Sequence, residues 1–181
     1  HQLVRYYGGV PIIEKPFSLS DTSFMSSRNT MEECINFIVK DCDESAALLN
    51  GKTLAAGRAS KAAALALKSR MLLYAASDLY DVNTAKAKSS VHASFSKPEI
   101  LGYTSTDRAA RWTKAKDAAK AVLDLPSLGN KLTLTSPATK EEAIANYSNN
   151  SLAKNGGEKE LIFARYFINA KAENGGRIGL F

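Results

Sequence analysis

Two pairs of neighbouring carboxylates, Glu32–Glu33 and Glu141–Glu142, come closest to catalytic machinery in this chain. Such a pair can supply the acid and the base of glycoside hydrolysis. In each pair, however, the second Glu lies three residues after a Thr, Thr30 or Thr139, which is the spacing of a capping box at a helix start. Carboxylates at that position cap backbone amides and complement the helix dipole. The spacing therefore indicates two helix starts and argues against a hydrolase.

Histidine and cysteine do not form a reactive or metal-binding pattern either. His92 lies in a Ser/Ala-rich segment without a neighbouring cysteine or carboxylate, and the other histidine is His1. Cys34 and Cys42 are eight residues apart on one predicted helix, which separates their Cα atoms by about 12 Å. That is too far for a disulfide, and no CxxC pair suggests zinc. We therefore expect no metal, no cofactor and no enzymatic activity.

The net charge of +6 raises the question of nucleic acid. The excess is concentrated in residues 52–120, which hold thirteen basic and five acidic residues. The basic residues are mostly single lysines spread over presumed helix surfaces, whereas a phosphate-binding face needs them clustered, ideally beside aromatic side chains. The charge pattern therefore indicates a solvated surface and no nucleic-acid partner. The sequence also has no apolar run long enough to cross a bilayer.

Three long helices are predicted, at residues 31–49, 61–80 and 107–125. In the first, apolar residues recur every three or four positions and form one stripe, as in a helix with one buried face. The second is apolar on several sides and rich in alanine, so we expect it to be the most buried, an inner helix with several neighbours. In the third, the apolar face is expected to consist of Trp112, Ala115, Ala119, Val122 and Leu123.

The remaining segments complete a mainly α fold. Residues 82–106 show weak periodicity and are predicted as a long irregular loop. A short helix follows Thr139, and residues 161–168, LIFARYFI, are typical of a buried strand, here between two Gly-Gly pairs. Antiparallel helix pairs with Ala-rich inner faces favour a tetratricopeptide-like stack. We expect one helical domain over residues 1–181, with stacked helix pairs, long irregular loops and a short strand near the C-terminus.

Three sequence blocks in a fixed order carry a resemblance to a known family. They are RYYGGVPIIEKPFSLSD (residues 5–21), RNTMEECINFIVKDCDESAALL (residues 28–49) and GRASKAAALALKSRMLLYAASDLYD (residues 57–81). The helix around Trp112 and the ELIF run at residues 160–163 look like the elements that follow. Taken together in this order, the blocks resemble the SusD/RagB family of Bacteroidetes.

The resemblance implies a fold, a role and a location. Members of this family have an α-helical core of tetratricopeptide-like helix pairs and are not enzymes. They are lipid-anchored on the outer face of the outer membrane, where they hold oligosaccharides over a SusC-like TonB-dependent transporter. The chain would then be an internal portion of a longer protein, and the lipid anchor would lie outside it. The residues alone favour an alternative, a helix-repeat scaffold that binds another protein and no sugar.

Candidate glycan contacts are expected outside the helix stripes, because those stripes are used for packing. A sugar needs exposed aromatic faces with amide or guanidinium donors beside them. Tyr103 supplies an aromatic ring in the loop at 82–106, whereas Asn169, Asn174 and Arg177 supply donors after the strand. We expect these four residues to contact glycan, and segments outside this chain to contribute most of the site.

Overall fold

The computed structural model describes residues 1–23, 25–55, 57–126, 136–152 and 162–163, and this part of the chain is mainly helical. Its helices are α1 (Gln2–Tyr7), α2 (Met31–Leu48), α3 (Lys61–Ala76), α4 (Val82–Lys88), α5 (Ser90–Ser94), α6 (Pro98–Leu101), α7 (Arg108–Leu123) and α8 (Lys140–Leu152). The mainly α fold expected from the sequence is confirmed. The predicted strand at 161–168 lies outside the described residues, apart from Ile162 and Phe163. Within the described part, no helix combines the length and the apolar character that a bilayer crossing requires.

Helix α2 begins with the capping box that the sequence predicts. The Thr30 hydroxyl accepts a hydrogen bond from the Glu33 amide at 3.1 Å, and the Glu33 carboxylate accepts one from the Thr30 amide at 2.8 Å. Two backbone donors that a helix start leaves free are thereby satisfied. Hydrogen bonds from the Thr30 amide and from the Asn29 side chain lower the pKa of Glu33, so the cap works with an ionised carboxylate.

Helix α3 is the inner helix of the stack, as predicted. It packs against both α2 and α7, and Met71, Ala75 and Ala76 are almost completely buried. The Ser60 hydroxyl caps its start by accepting a hydrogen bond from the Ala63 amide at 3.3 Å. The helix ends at Ala76, four residues before the predicted end, because the backbone becomes extended at Ser77.

The core joins three helices to the segment after α3. Its buried members are Val4, Met31, Cys34, Ile35, Met71, Ala75, Tyr80 and Tyr103. The Tyr80 hydroxyl donates a hydrogen bond to the Arg5 carbonyl at 2.9 Å, which ties α1 to a residue 75 positions away. Cys34 and Cys42 are both buried free thiols, which pack as small apolar residues.

The Gly-Gly pair after α1 allows two backbone segments to approach closely. Gly8 ends α1 with a φ of 73°, a value that favours glycine. A Cβ on Gly9 would overlap the carbonyl oxygen of Asn29. The Arg28 guanidinium donates to the Gly9 carbonyl at 2.6 Å and also to the carbonyl of Tyr7. The extended residues that follow Gly9 are therefore held against the start of α2.

The segment at 82–106 differs from its prediction. It contains the three short helices α4, α5 and α6, where the sequence led us to expect an irregular loop. Capping side chains explain part of the difference: Asp81 accepts from the Thr84 amide at 2.9 Å, and Ser89 accepts from the His92 amide at 3.5 Å. Helices this short show too few turns for their periodicity to be visible in a sequence.

The buried face of α7 also differs from its prediction. The buried residues are Arg111, Ala115, Ala118 and Val122. Trp112 is 44% exposed and Leu123 is 62% exposed, and Ala119 is exposed as well, so the expectation that these three residues pack in the core is wrong. The helix is rotated from the predicted orientation because Arg111, a charged residue, takes a buried position opposite Asp81.

Helix α8 begins with half of the predicted capping box. The Thr139 hydroxyl accepts from the Glu142 amide at 3.2 Å, as expected. The Glu142 carboxylate, however, accepts from the Ala138 amide at 2.8 Å and not from the Thr139 amide. The carboxylate thus satisfies a donor one residue earlier than the box requires.

Candidate functional site

Tyr103 is the candidate glycan contact that the structure describes, and it lies where the chain returns from the short helices to the core. Its amide donates to the Tyr80 carbonyl at 2.7 Å, and its carbonyl accepts from the Val82 amide at 3.0 Å. A Cβ on the preceding Gly102 would lie 2.6 Å from the Tyr80 carbonyl oxygen, so glycine permits this approach. Tyr103 is only 6% exposed. The expectation that its ring is exposed in a loop is therefore wrong.

A buried ion pair holds the Tyr103 ring in place. The Arg111 guanidinium donates to the Asp81 carboxylate at 2.6 Å, and both side chains are less than 10% exposed. The same guanidinium lies 4.7 Å from the centre of the Tyr103 ring, within the range of a cation–π contact. It also reaches the carbonyl and hydroxyl of Ser105 at 3.3 and 3.2 Å. One arginine from α7 thus fixes both ends of the segment that spans α4 to α6.

The electrostatics of the cluster follow from burial and hydrogen bonding. Burial raises the pKa of Asp81, but hydrogen bonds from the amide and hydroxyl of Thr84 and from Arg111 together outweigh it, so the pKa of Asp81 lies below its usual value. Burial raises the pKa of Tyr103 to about 12. The ion pair is therefore charged and the phenol is protonated at neutral pH.

A small polar pocket of about 80 Å³ opens beside this cluster, between α2, α3 and α7. A liquid water molecule takes up roughly 30 Å³, so the pocket has room for a few waters or one sugar hydroxyl group, but not for a whole sugar ring. Its polar lining consists of Glu32, Asn36, Tyr103, Ser105, Asp107, Arg111 and Lys114. The Nε of Arg111 is buried without a hydrogen-bond partner among the described residues. Chemically, the pocket offers both donors and acceptors to a hydroxyl group.

Asn169, Asn174 and Arg177 lie outside the described residues, and their role stays a prediction. Among the residues that are described, no group of three or more His, Cys, Asp or Glu side chains is arranged to hold a metal ion.

Asp81 and Arg111 were not predicted as site residues from the sequence. One signal could have found the arginine: Arg111 precedes Ala115, Ala118 and Val122 at helical spacings of four, seven and eleven residues. An arginine in register with a small-residue stripe is a candidate for a buried charge, and Asp81, at the break after the inner helix, is a nearby partner of opposite sign. The hydrophobic pattern favours the stripe through Trp112 instead, because it gives a large aromatic residue more weight than a charged one.

Comparison with known proteins gives one family. The family model SusD-like_3, described as starch-binding associating with outer membrane, matches residues 1–73. The match runs from α1 into α3 and includes Glu32 and Asn36 of the polar pocket, whereas Tyr103 and Arg111 lie beyond it. No curated protein matches the chain. The match supports, in general terms, a glycan-binding role associated with the outer membrane. Residues 1–73 are therefore similar to the SusD-like family, in agreement with the resemblance that the three sequence blocks carry.

Proposed function

We propose that this chain is part of a glycan-binding protein of an outer-membrane uptake system, which holds an oligosaccharide for a SusC-like TonB-dependent transporter. The observation that carries the proposal is the SusD-like match at residues 1–73. The protein acts by binding and release, not by catalysis. The carboxylates that come closest to catalytic residues, Glu33 and Glu142, support this point because they act as helix caps. Each accepts a hydrogen bond from a backbone amide at a helix start.

The location belongs to the same proposal. The protein is lipid-anchored on the cell-surface side of the outer membrane, and the anchor lies in a part of the protein outside this chain. Its partners are an oligosaccharide and the transporter, and nucleic acid is not among them. Support for the last point comes from the basic residues of α7, because Lys120 pairs with Asp124 and Arg108 pairs with Asp78. Pairs of this kind offset part of the positive charge that a phosphate backbone would require.

The proposed contacts combine the polar pocket with the donors near the C-terminus. One sugar hydroxyl enters the pocket beside Tyr103, and the ring of that sugar lies outside its mouth. Asn169, Asn174 and Arg177 donate to the remaining oxygens of the oligosaccharide. Segments outside this chain supply most of the aromatic surface, because Tyr103 itself is buried and offers no open ring face.

Isothermal titration of the full-length protein with maltoheptaose, a starch-derived oligosaccharide, tests these contacts. Tyr103→Phe removes one hydroxyl and keeps the ring, so we expect affinity to fall about three- to tenfold, the effect of one hydrogen bond. Arg177→Ala should weaken binding by at least as much. Tyr6→Phe is the matched control, since Tyr6 is exposed on α1 and does not line the pocket, and it should bind as the wild type does. Wild-type affinity in all variants would place the sugar elsewhere.

A protein-binding scaffold is the second candidate function, and the exposed side of α7 favours it. Trp112 and Leu123 are 44% and 62% exposed on this helix, and large apolar residues on a surface often mark a protein contact. Under this alternative, Trp112→Ala would abolish copurification of the transporter, and maltoheptaose would produce no saturable heat. Saturable sugar binding by the wild type would decide against it.

A further inference from the structure

An exposed arginine on α1 lies over two aromatic rings. The Arg5 guanidinium is 5.0 Å from the centre of the Tyr6 ring and 5.6 Å from the centre of the Tyr74 ring. Both distances are within the range of a cation–π contact. Among the described residues, the guanidinium contacts these two rings but pairs with no carboxylate and no hydrogen-bond acceptor. Its N–H donors are therefore available to a ligand.

The backbone that carries this arginine is anchored at two points. The Arg5 carbonyl accepts a hydrogen bond from the Tyr80 hydroxyl at 2.9 Å, and the Tyr7 carbonyl accepts one from the Arg28 guanidinium. Helix α1 is thereby tied to the segment after α3 and to the start of α2. A surface whose backbone is fixed before binding loses less conformational entropy when a ligand binds.

Tyr6 offers open aromatic surface beside the same guanidinium. The residue is 67% exposed, so most of its side chain is accessible although Arg5 lies over part of the ring. The C–H face of a sugar ring can stack on such a surface, while a neighbouring guanidinium donates to the sugar oxygens. Arg5 and Tyr6 thus provide the exposed ring and the donor that a sugar needs, and the buried Tyr103 does not.

We propose that Arg5 and Tyr6 form a binding site for an acidic sugar, in which the Tyr6 ring stacks on the sugar and the Arg5 guanidinium pairs with its carboxylate or sulfate group. The inference rests on the proposed glycan-binding function and adds a class of sugar to it. The contact uses the ring of Tyr6 and not its hydroxyl. Neither residue lines the polar pocket beside Tyr103, so this site is separate from that pocket.

The charge around Arg5 favours an acidic sugar over a neutral one. Arg5 is the only charged side chain in residues 2–13, so no neighbour along α1 or the segment after it neutralises the guanidinium. A planar guanidinium matches a carboxylate or a sulfate with two parallel hydrogen bonds, which a neutral hydroxyl group cannot accept in the same way. An acidic sugar therefore uses both the charge and the geometry of Arg5.

Isothermal titration of the full-length protein with two acidic tetrasaccharides tests this proposal. Tetragalacturonate carries carboxylates and a carrageenan tetrasaccharide carries sulfates, so the tighter binder identifies the anionic group. Fully methyl-esterified tetragalacturonate is the matched neutral probe. It should bind about tenfold more weakly than the free acid, because it cannot form the charged hydrogen bonds. Equal affinity for the esterified and the acidic probe, with no binding of the sulfated one, would overturn the proposal.

Arg5→Met keeps a long unbranched side chain and removes the charge, so affinity for the acidic probe should fall about tenfold. Arg58→Met is the matched control, because Arg58 is exposed and lies over no aromatic ring among the described residues. This control should bind the acidic probe as the wild type does. Equal affinity of Arg5→Met and the wild type would overturn the proposal.

Tyr6→Ala tests the stacking and should weaken binding of the acidic probe about three- to tenfold. Tyr147→Ala is its control, since Tyr147 is a 79% exposed tyrosine on α8, and it should bind as the wild type does. Wild-type affinity of Tyr6→Ala would show an ion pair without stacking and would also overturn the proposal.

Maltoheptaose, a neutral oligosaccharide, separates this proposal from the proposed function. If maltoheptaose binds to the full-length protein and neither acidic probe does, the acidic-sugar site is wrong and the glycan-binding role stands. If an acidic probe binds and Arg5→Met weakens its binding, the acidic-sugar site is supported whether or not maltoheptaose binds. If none of the three binds, both proposals are contradicted.

Discussion

Helices α2 and α3 at residues 28–76 are stabilised by different kinds of contact from those that stabilise the segment at residues 77–123. In the first region, Thr30 and Ser60 begin α2 and α3 at the positions expected from the sequence, and α3 is the inner helix as predicted. In the second region, short helices replace a predicted loop and α7 turns another face to the core. The first region is set by local signals, whereas the second depends on Arg111 and Asp81, two residues 30 positions apart.

The difference shows which structural features can be recognised from the sequence alone. A cap and its helix lie within four residues of each other, so the pattern can be recognised along the chain. A buried ion pair joins residues that are distant in sequence, and a hydrophobic pattern places both charges on the surface. The predictions below alter one region or the other, and the largest effect is expected where the distant contact breaks.

Arg111→Met should have the largest effect on stability, about 3–5 kcal/mol, because it leaves the Asp81 carboxylate buried without its partner. Arg108→Met on the same helix is the control: its pair with Asp78 is solvent-exposed and should contribute less than about 1 kcal/mol. Urea unfolding of the two variants measures both values. Similar losses in the two would show that the Arg111–Asp81 pair does not hold the second region together.

The same pair predicts a pH dependence. The pKa of Asp81 is lower in the folded chain, so its contribution is present above the unfolded pKa of about 3.9 and is lost as the pH falls through the folded value. The difference in melting temperature between wild type and Asp81→Asn should therefore be constant at pH 5 to 7 and shrink below pH 4. A difference in melting temperature that grows as the pH falls would contradict this prediction.

Met71→Ala tests the core that the two regions share. Met71 lies fully buried on α3, and its truncation should cost about 2–5 kcal/mol through lost contacts and a cavity. Leu73→Ala, on the same helix but half exposed, should cost less than about 1 kcal/mol. Guanidinium unfolding of the two variants provides the comparison, and equal costs would contradict the inner position of α3.

Thr30→Ala tests the local signal in the first region. It removes the hydroxyl that accepts from the Glu33 amide and should cost about 1 kcal/mol. Thr113→Ala is the control, because the Thr113 hydroxyl bonds only the Ala109 carbonyl on an exposed side of α7 and its loss should be close to neutral. If urea melts of Thr30→Ala and the wild type overlay, the box does not stabilise the helix.

Trp112→Ala should have the smallest effect on the free energy of unfolding, below about 1 kcal/mol, because the Trp112 side chain is 44% exposed. Under the rotation of α7 that the hydrophobic pattern favours, the same change would empty a core position and cost about 3–5 kcal/mol. One thermal melt of this variant therefore distinguishes the two orientations of the helix.

Much of the fold could be predicted, and the failures have physical causes. The capping box at Thr30 and the inner position of α3 follow from spacing alone. The burial of Tyr103 does not, because it depends on the approach of Gly102 to the Tyr80 carbonyl and on Arg111 above the ring. The proposed role rests on the order of three blocks in the sequence, whereas the residues by themselves favour a scaffold. The proposed sugar contacts follow no fixed spacing that could be recognised in the sequence.

Titration of the full-length protein with maltoheptaose, beside the isolated 181-residue chain, tests the central claim of glycan binding most directly. Saturable heat is expected from the full-length protein. Weaker binding or none is expected from the isolated chain, because we propose that segments outside it contribute most of the site. No saturable binding by the full-length protein, with maltoheptaose or with any of a panel of other oligosaccharides, would contradict the claim.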